Sequence, residues 1–254
     1  MAETARSIVN ESPRPFAGAT GKGVRIAVVD SGVNSRHPHV KGVAGGIMIG
    51  LDLGVNSYTD DLGHGTAVLA AIKEKAPDAE YYAVKICYKT LKLDIEILIR
   101  ALEWALHERM HIINLSLGTR NLLHAARLAP IVEQAAKQKT LIVSAAETES
   151  TALLPGSMPG VLGVALDWTC SRDSFRYTLS PNGPRWLASG YARTSEESAP
   201  NHSHYGVSFS TANMTGFVAR ALQDLRDTSI ENVSRTLREE ARRLRTLRER
   251  SRTM

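Results

Sequence analysis

Two features of the sequence predict an α/β fold with a mostly parallel central sheet and helices on both faces. Short apolar runs of strand length alternate with longer helix-like segments along nearly the whole chain, the pattern of strands buried on both sides. No repeat, low-complexity linker or shift in composition divides the 254 residues, so they read as one domain. Residues 1–20 are polar and hold Pro13 and Pro15, which predicts an N-terminal arm outside the core. The domain then spans residues 21–254. Within it Val24 to Val29 reads as a buried strand, Gly65 to Lys75 as a helix and Tyr81 to Ile86 as a second strand. A helix is predicted from Asp94 to Arg109, a strand from Ile112 to Leu117, a helix from Leu123 to Gln138 and a strand from Leu141 to Ala146. Strands at Val161 to Leu166 and Trp186 to Ser189 follow, then a long helix after Ser208. Ile230, Val233, Leu237, Ala241, Leu244 and Leu247 recur at three- and four-residue steps, which predicts a basic amphipathic C-terminal helix.

Bulk properties exclude several classes of function. The net charge of +5 is concentrated from Glu231 to Met254, where eight Arg face four Glu. Because the apolar stripe accounts for that helix, its arginines read as a solvated face, and nucleic acid is not an expected partner. No apolar run approaches the roughly 18–20 residues of a membrane span. The N-terminus lacks the apolar core of a signal peptide. Cys87 and Cys170, the two cysteines, give neither a disulfide framework nor metal-ligand spacing. A cytoplasmic protein is the simplest fit, and a processed secreted form would look the same. No cofactor and no metal are expected, and the oligomeric state is open.

Three segments carry chemistry. IAVVDSGV ends an apolar strand in Asp30, at the strand end where α/β proteins place their sites. In DDLGHGTAVLAAI, His64 lies between glycines and opens an apolar helix whose early Thr66 suits a helix start. In HYGVSFSTANMTGFVARAL, Ser208 begins a helix, whose free amides favour a developing anion. Taken singly, each has an ordinary structural role: a turn carboxylate, a surface imidazole, an N-cap hydroxyl. Together they supply a nucleophile, a base and a carboxylate to hold the base's tautomer.

In chain order and local motif these segments resemble the subtilisin-like serine peptidases, the subtilases. VVDSGVNSRHP, GHGTAVLAAI and, less perfectly, GVSFSTANMTG match the family's Asp, His and Ser motifs. VKI at Val84 to Ile86, INLSLG at Ile113 to Gly118 and LPGSMPGVLGVALD at Leu154 to Asp167 keep family order. The resemblance covers roughly residues 20 to 245. It implies a subtilisin-like three-layer fold, a serine endopeptidase activity and a catalytic triad of Asp30, His64 and Ser208. It further implies substrate bound as an added β-strand along Ser116, Leu117 and Gly118, with Leu91 to Leu93 as the opposite edge. Ala145, Ala146 and Glu147 would line the substrate pocket.

Several residues depart from the family pattern. Thr148 stands where an oxyanion-binding Asn is usual, with Glu147 in place of a Gly, so the oxyanion donors would be Thr148 and the Ser208 amide. A missing side-chain donor costs roughly 10²–10³ in turnover. Val207 replaces a Thr and Ala212 a Pro. Glu147 and Glu149 near the primary pocket would favour a basic substrate residue, and Leu153 would narrow it. His39 occupies the position of a calcium-binding Asp, and Lys75-Ala76-Pro77 leads directly to the next strand, so that calcium site is expected to be missing. Asp60 and Asp61 read as solvated loop residues. The sequence predicts an intracellular peptidase of narrow specificity, such as one that removes a leader from a precursor peptide. The alternatives are a pseudopeptidase that binds peptides, and a transpeptidase or macrocyclase using the same triad.

Overall fold

The computed structural model describes residues 14–50, 57–87, 94–181, 183–193 and 205–252. Its centre is an eight-stranded sheet. The strands are β1 (Arg25–Asp30), β2 (Gly45–Met48), β3 (Glu80–Lys85), β4 (Ile112–Leu115), β5 (Leu141–Ala145), β8 (Leu162–Leu166), β9 (Phe175–Ser180) and β10 (Gly183–Ala188). Their order is β2-β3-β1-β4-β5-β8-β10-β9. Every pairing is parallel except β10 with β9. The predicted three-layer α/β architecture is therefore present, with an antiparallel strand added at one edge. A small hairpin, β6 (Glu147–Thr148) with β7 (Thr151–Ala152), follows β5.

The helices are α1 (His64–Lys75), α2 (Ile95–His107), α3 (Ala125–Gln138), α4 (Val207–Leu222) and α5 (Ile230–Arg252). Side chains alternate along each strand, so Ile26 and Val28 of β1 join one core while Ala27 and Val29 join the other. The first core holds α1, α4 and α5, and the second holds α2 and α3. Helix α2 starts where Asp94 caps it, its carboxylate accepting from the Glu96 and Ile97 amides. Helix α5 buries Val233, Leu237 and Leu244, as its periodicity predicts.

The predicted strands and helices recur with shifted ends: Leu122–His124 is a short 3-10 turn ahead of α3, and β4 stops at Leu115. Strands β2 and β9 and the hairpin are additions to the predicted set. The last residues of the expected arm lie on the body. Pro15 and Ala19 are buried, the Phe16 ring stacks on Phe175 at 6.4 Å, and the Phe16 amide donates to Glu240 Oε1. Both cysteines are buried and neither is in a disulfide. Burial and the charge of Asp30 push the Cys87 thiol up to about 12, which leaves it inert as a nucleophile. No described helix is long and apolar enough to cross a membrane.

Candidate active site

Strands β1, β4, β5, β8 and β10 all end at the same edge of the sheet, because they run parallel. Asp30 is the last residue of β1, and His64 is the first residue of α1. His64 Nδ1 lies 2.7 Å from Asp30 Oδ1, with Asp30 fully buried and the His64 side chain 16% exposed. A carboxylate only accepts, so Nδ1 carries the proton and Nε2 keeps a lone pair toward the substrate side. Burial alone lowers the His64 pKa. The charge and hydrogen bond of Asp30 and the charge of Asp60 outweigh it, so His64 titrates above its ordinary value. The close approach of α1 to β1 requires Gly65: a Cβ there would sit 2.2 Å from the Gly32 carbonyl oxygen and 3.1 Å from Asp30 Cβ.

Ser208 is the second residue of α4, in the turn whose amides lack helical partners. Its hydroxyl donates to the Ser116 carbonyl at 2.7 Å rather than to His64. The next residue, Phe209, places its ring 5.8 Å from the imidazole. The structure thus brings Asp30 and His64 into a hydrogen bond and sets Ser208 beside Ser116. The Ser208-to-His64 bond of an assembled triad is not formed in this resting conformation.

Ser116, Leu117 and Gly118 continue from β4. Ser116 Oγ donates to the Ser208 carbonyl at 3.0 Å and accepts from Asn114 Nδ2 at 3.0 Å, and Thr215 Oγ1 donates to Asn114 Oδ1 at 2.8 Å. This chain of bonds ties the helix of Ser208 to the strand end. Among the described residues Leu117 and Gly118 make no backbone–backbone hydrogen bond. Ala145 and Ala146, at the end of β5, are buried. Thr148 lies on β6, paired with Thr151, and its hydroxyl has no hydrogen bond among the described residues. Glu147 forms an ion pair with Arg185 of β10, and Glu149 one with Arg120. These partners compensate the two carboxylates that were expected to attract a basic substrate residue. Leu91 to Leu93, the expected opposite edge, lie outside the described residues.

Asp60 differs from the expectation of a solvated loop residue. Its Oδ1 accepts from Ser31 Oγ and the Leu62 and Gly63 amides, and its Oδ2 from the Thr66 amide and hydroxyl, all at 2.6–3.0 Å. Gly63, at the N-cap of α1, has no side chain to offer, so Asp60 does the capping from outside the helix. Burial raises its pKa, but the hydrogen bonds from Thr66, Ser31 and Leu62 outweigh that and hold it below the ordinary value. Thr66 also accepts from the Asn34 amide, tying the loop after β1 to α1. Asp61 pairs with the buried Lys85. The His39 ring lies 5.4 Å from that of His37 and tilted against it. Among the described residues no three His, Cys, Asp or Glu are grouped as metal ligands. At position 39 an imidazole stands where the resemblance implies a carboxylate, and an imidazole is not a hard oxygen ligand.

A model of the subtilase family matches residues 21–252. The chain belongs to the subtilase family. It is 32% identical over 251 residues to the minor extracellular protease Epr of Bacillus subtilis (strain 168), covering 89% of this chain and 35% of that protein. It is also 32% identical over 205 residues to the thermostable alkaline protease of Halalkalibacterium halodurans, covering 76% and 52%. The chain thus spans between a third and about half of these relatives' length. Among solved structures, a cold adapted subtilisin-like serine proteinase superposes with a TM-score of 0.67 at 20% identity, covering 88% of this chain and 84% of that one. A lanthipeptide protease superposes with a TM-score of 0.66 at 18% identity, covering 85% and 79%. At those identities the structural likeness establishes the subtilase fold.

Proposed function

We propose that this subtilase is a serine endopeptidase in which Ser208 attacks, His64 is base and then acid, and Asp30 orients His64. The observation that carries this reading is the 2.7 Å contact between His64 Nδ1 and the fully buried Asp30, at the sheet edge that also holds Ser208. With Nδ1–H committed to Asp30, Nε2 takes the proton of Ser208 Oγ as the oxygen bonds to the scissile carbonyl carbon. The negative oxygen faces the first turn of α4, where the Ser208 amide is a donor and the Thr148 hydroxyl is the second. His64 then protonates the leaving amine, and water resolves the acyl-enzyme by the same steps.

Before attack, Ser208 Oγ must leave the Ser116 carbonyl. A hydrogen bond of this kind is worth about 0.5–1.5 kcal/mol net, so the resting rotamer slows the reaction by roughly tenfold at most. That is small beside the ~8–23 kcal/mol by which enzymes lower barriers. The parked hydroxyl and Thr148 favour the pseudopeptidase alternative, yet their magnitudes reduce turnover without abolishing it. Substrate binds as an added strand along Ser116 to Gly118, a reading supported by the unpaired backbone of Leu117 and Gly118. The altered oxyanion residues support narrow specificity, such as leader removal from a precursor peptide. The fold shared with a lanthipeptide protease is compatible with that.

The test is incubation with precursor-like and unrelated peptides, with and without an added peptide amine. The proposal expects slow, selective hydrolysis that disappears in Ser208→Ala. Ligated product would establish the transpeptidase alternative, and rapid digestion of unrelated proteins would rule out the leader-specific reading.

A further inference from the structure

The described residues include seven exposed large hydrophobic side chains, and three of them meet where the chain enters the helix of Ser208. Trp168, Tyr191 and Tyr205 are 48%, 50% and 63% exposed. The indole lies 5.2 Å from the Tyr191 ring and 6.1 Å from the Tyr205 ring, tilted against both. Tyr205 precedes Ser208 by three residues. Exposed aromatic rings that pack on one another keep a large apolar face in water, the usual mark of a binding surface.

The cluster is held rigidly. Tyr191 and Tyr205 form an antiparallel bridge, and the Gly206 amide donates to the Gly190 carbonyl at 2.8 Å. Asn213 of α4, fully buried, donates to the Ser189 and Tyr191 carbonyls at 3.0 and 3.1 Å. The indole rests over Gly190, where a Cβ would sit 2.1 Å from Leu166 and 3.0 Å from the indole. Rigid aromatics lose little conformational entropy on binding.

Position gives the cluster its role. Along the site edge the strand order β1-β4-β5-β8-β10 brings Asp30, Ser116, Ala146, Trp168 and Tyr191 in succession. Ser208 is bonded to Ser116 on β4's continuation, and Tyr205 of the aromatic cluster sits just before the helix that Ser208 opens. We propose that Trp168, Tyr191 and Tyr205 form a recognition surface for a bulky apolar or aromatic side chain of the peptide. That side chain lies across the scissile bond from the residues that pair with Ser116–Gly118. The inference rests on the peptidase reading for the direction of the peptide, and on the structure alone for the surface. Asp167, next to Trp168 in the chain, is held by Thr169 and Arg176, which leaves apolar contact and ring packing as what the three rings offer a ligand.

The experiment uses the full chain carrying Ser208→Ala and a pool of random-sequence synthetic peptides, with the retained fraction recovered by ultrafiltration and sequenced by mass spectrometry. Peptides with Phe, Tyr, Trp or Leu are expected to be enriched about five- to tenfold over the input. Adding Trp168→Ala should remove the enrichment, and Trp168→Phe should restore most of it. Equal enrichment with Trp168→Ala, in a variant with an unchanged urea midpoint, overturns the proposal. The wild-type chain cutting the same pool supplies the direction. An apolar preference on one side of the cut, lost in Trp168→Ala while the other side is unchanged, supports it. A cut pattern insensitive to Trp168→Ala overturns it. Fluorophosphonate labelling of Ser208 is read separately: its absence refutes the peptidase reading, and the retention experiment then judges the surface by itself.

Discussion

Replacing Asp60 tests how the site is built, because one carboxylate there accepts five hydrogen bonds. Not all five count equally. Leu62 and Gly63 are exposed, so water replaces the carboxylate at their amides. Thr66 and Ser31 are buried, at 5% and 0% exposure, so their donors would be left unpaired in Asp60→Ala. Loss of a cap costs about 0.5–2 kcal/mol, and each buried unpaired group about 1–3 kcal/mol. With partial relaxation the sum is about 2–4 kcal/mol, read as a fall in the urea unfolding midpoint. Asp60→Asn keeps an acceptor for Ser31 but turns an amide toward the Thr66 N–H or loses it, so about half the cost is expected. The wild-type contribution should also depend on pH. The folded pKa of Asp60 lies below 3.8, so the stabilisation is full above the unfolded value and is lost as pH falls through the folded one. Removing the charge takes away one of the groups that raise His64, so the acid limb of Ser208 labelling should move to lower pH in both variants. A stability change under about 0.5 kcal/mol in Asp60→Ala, with an unmoved acid limb, would refute the reasoning.

Three other predictions follow from the same geometry. The rate of Ser208 labelling should rise with pH as His64 loses its proton, with a midpoint above the ordinary 6.5; a midpoint at or below it would contradict the dominance of Asp30 and Asp60 over burial. Gly65→Ala should cost at least about 2 kcal/mol in urea unfolding and abolish labelling, because its Cβ meets the Gly32 carbonyl oxygen. Thr148→Asn should raise turnover about tenfold or more with little change in KM, since an amide reaches further toward the oxyanion than a hydroxyl; unchanged turnover would remove Thr148 from the oxyanion site.

The sequence revealed the parallel core because its strands are long apolar runs buried on both faces, and those runs have no other reading. Strand β2 escaped because GGIM is short and half glycine, and it exists only through pairing with β3. Strand β9 escaped although Asn182-Gly183 is a hairpin signal, because its residues alternate in burial and its face is covered by α5. The hairpin β6–β7 is two residues a side, below what periodicity can detect. In the candidate site the motifs singled out Asp30, His64 and Ser208, of which the structure joins Asp30 to His64 and leaves the Ser208 hydroxyl on Ser116. They did not single out Asp60, since its bonds converge from Ser31 on another loop and from a helix start whose N-cap is glycine. The spacing from Asp60 to Gly63 and His64 was the available signal. Asn114 also left a mark, a polar residue in an otherwise apolar strand, which a buried hydrogen-bond chain explains.

The most direct test of the central claim is intact mass after fluorophosphonate treatment, above the His64 titration, of the wild-type chain, Ser208→Ala and Asp30→Asn. One adduct on the wild-type chain, none on Ser208→Ala and labelling slowed by roughly 10³ or more in Asp30→Asn is the predicted result. No adduct on folded wild-type protein, or an equal adduct on Ser208→Ala, would contradict it.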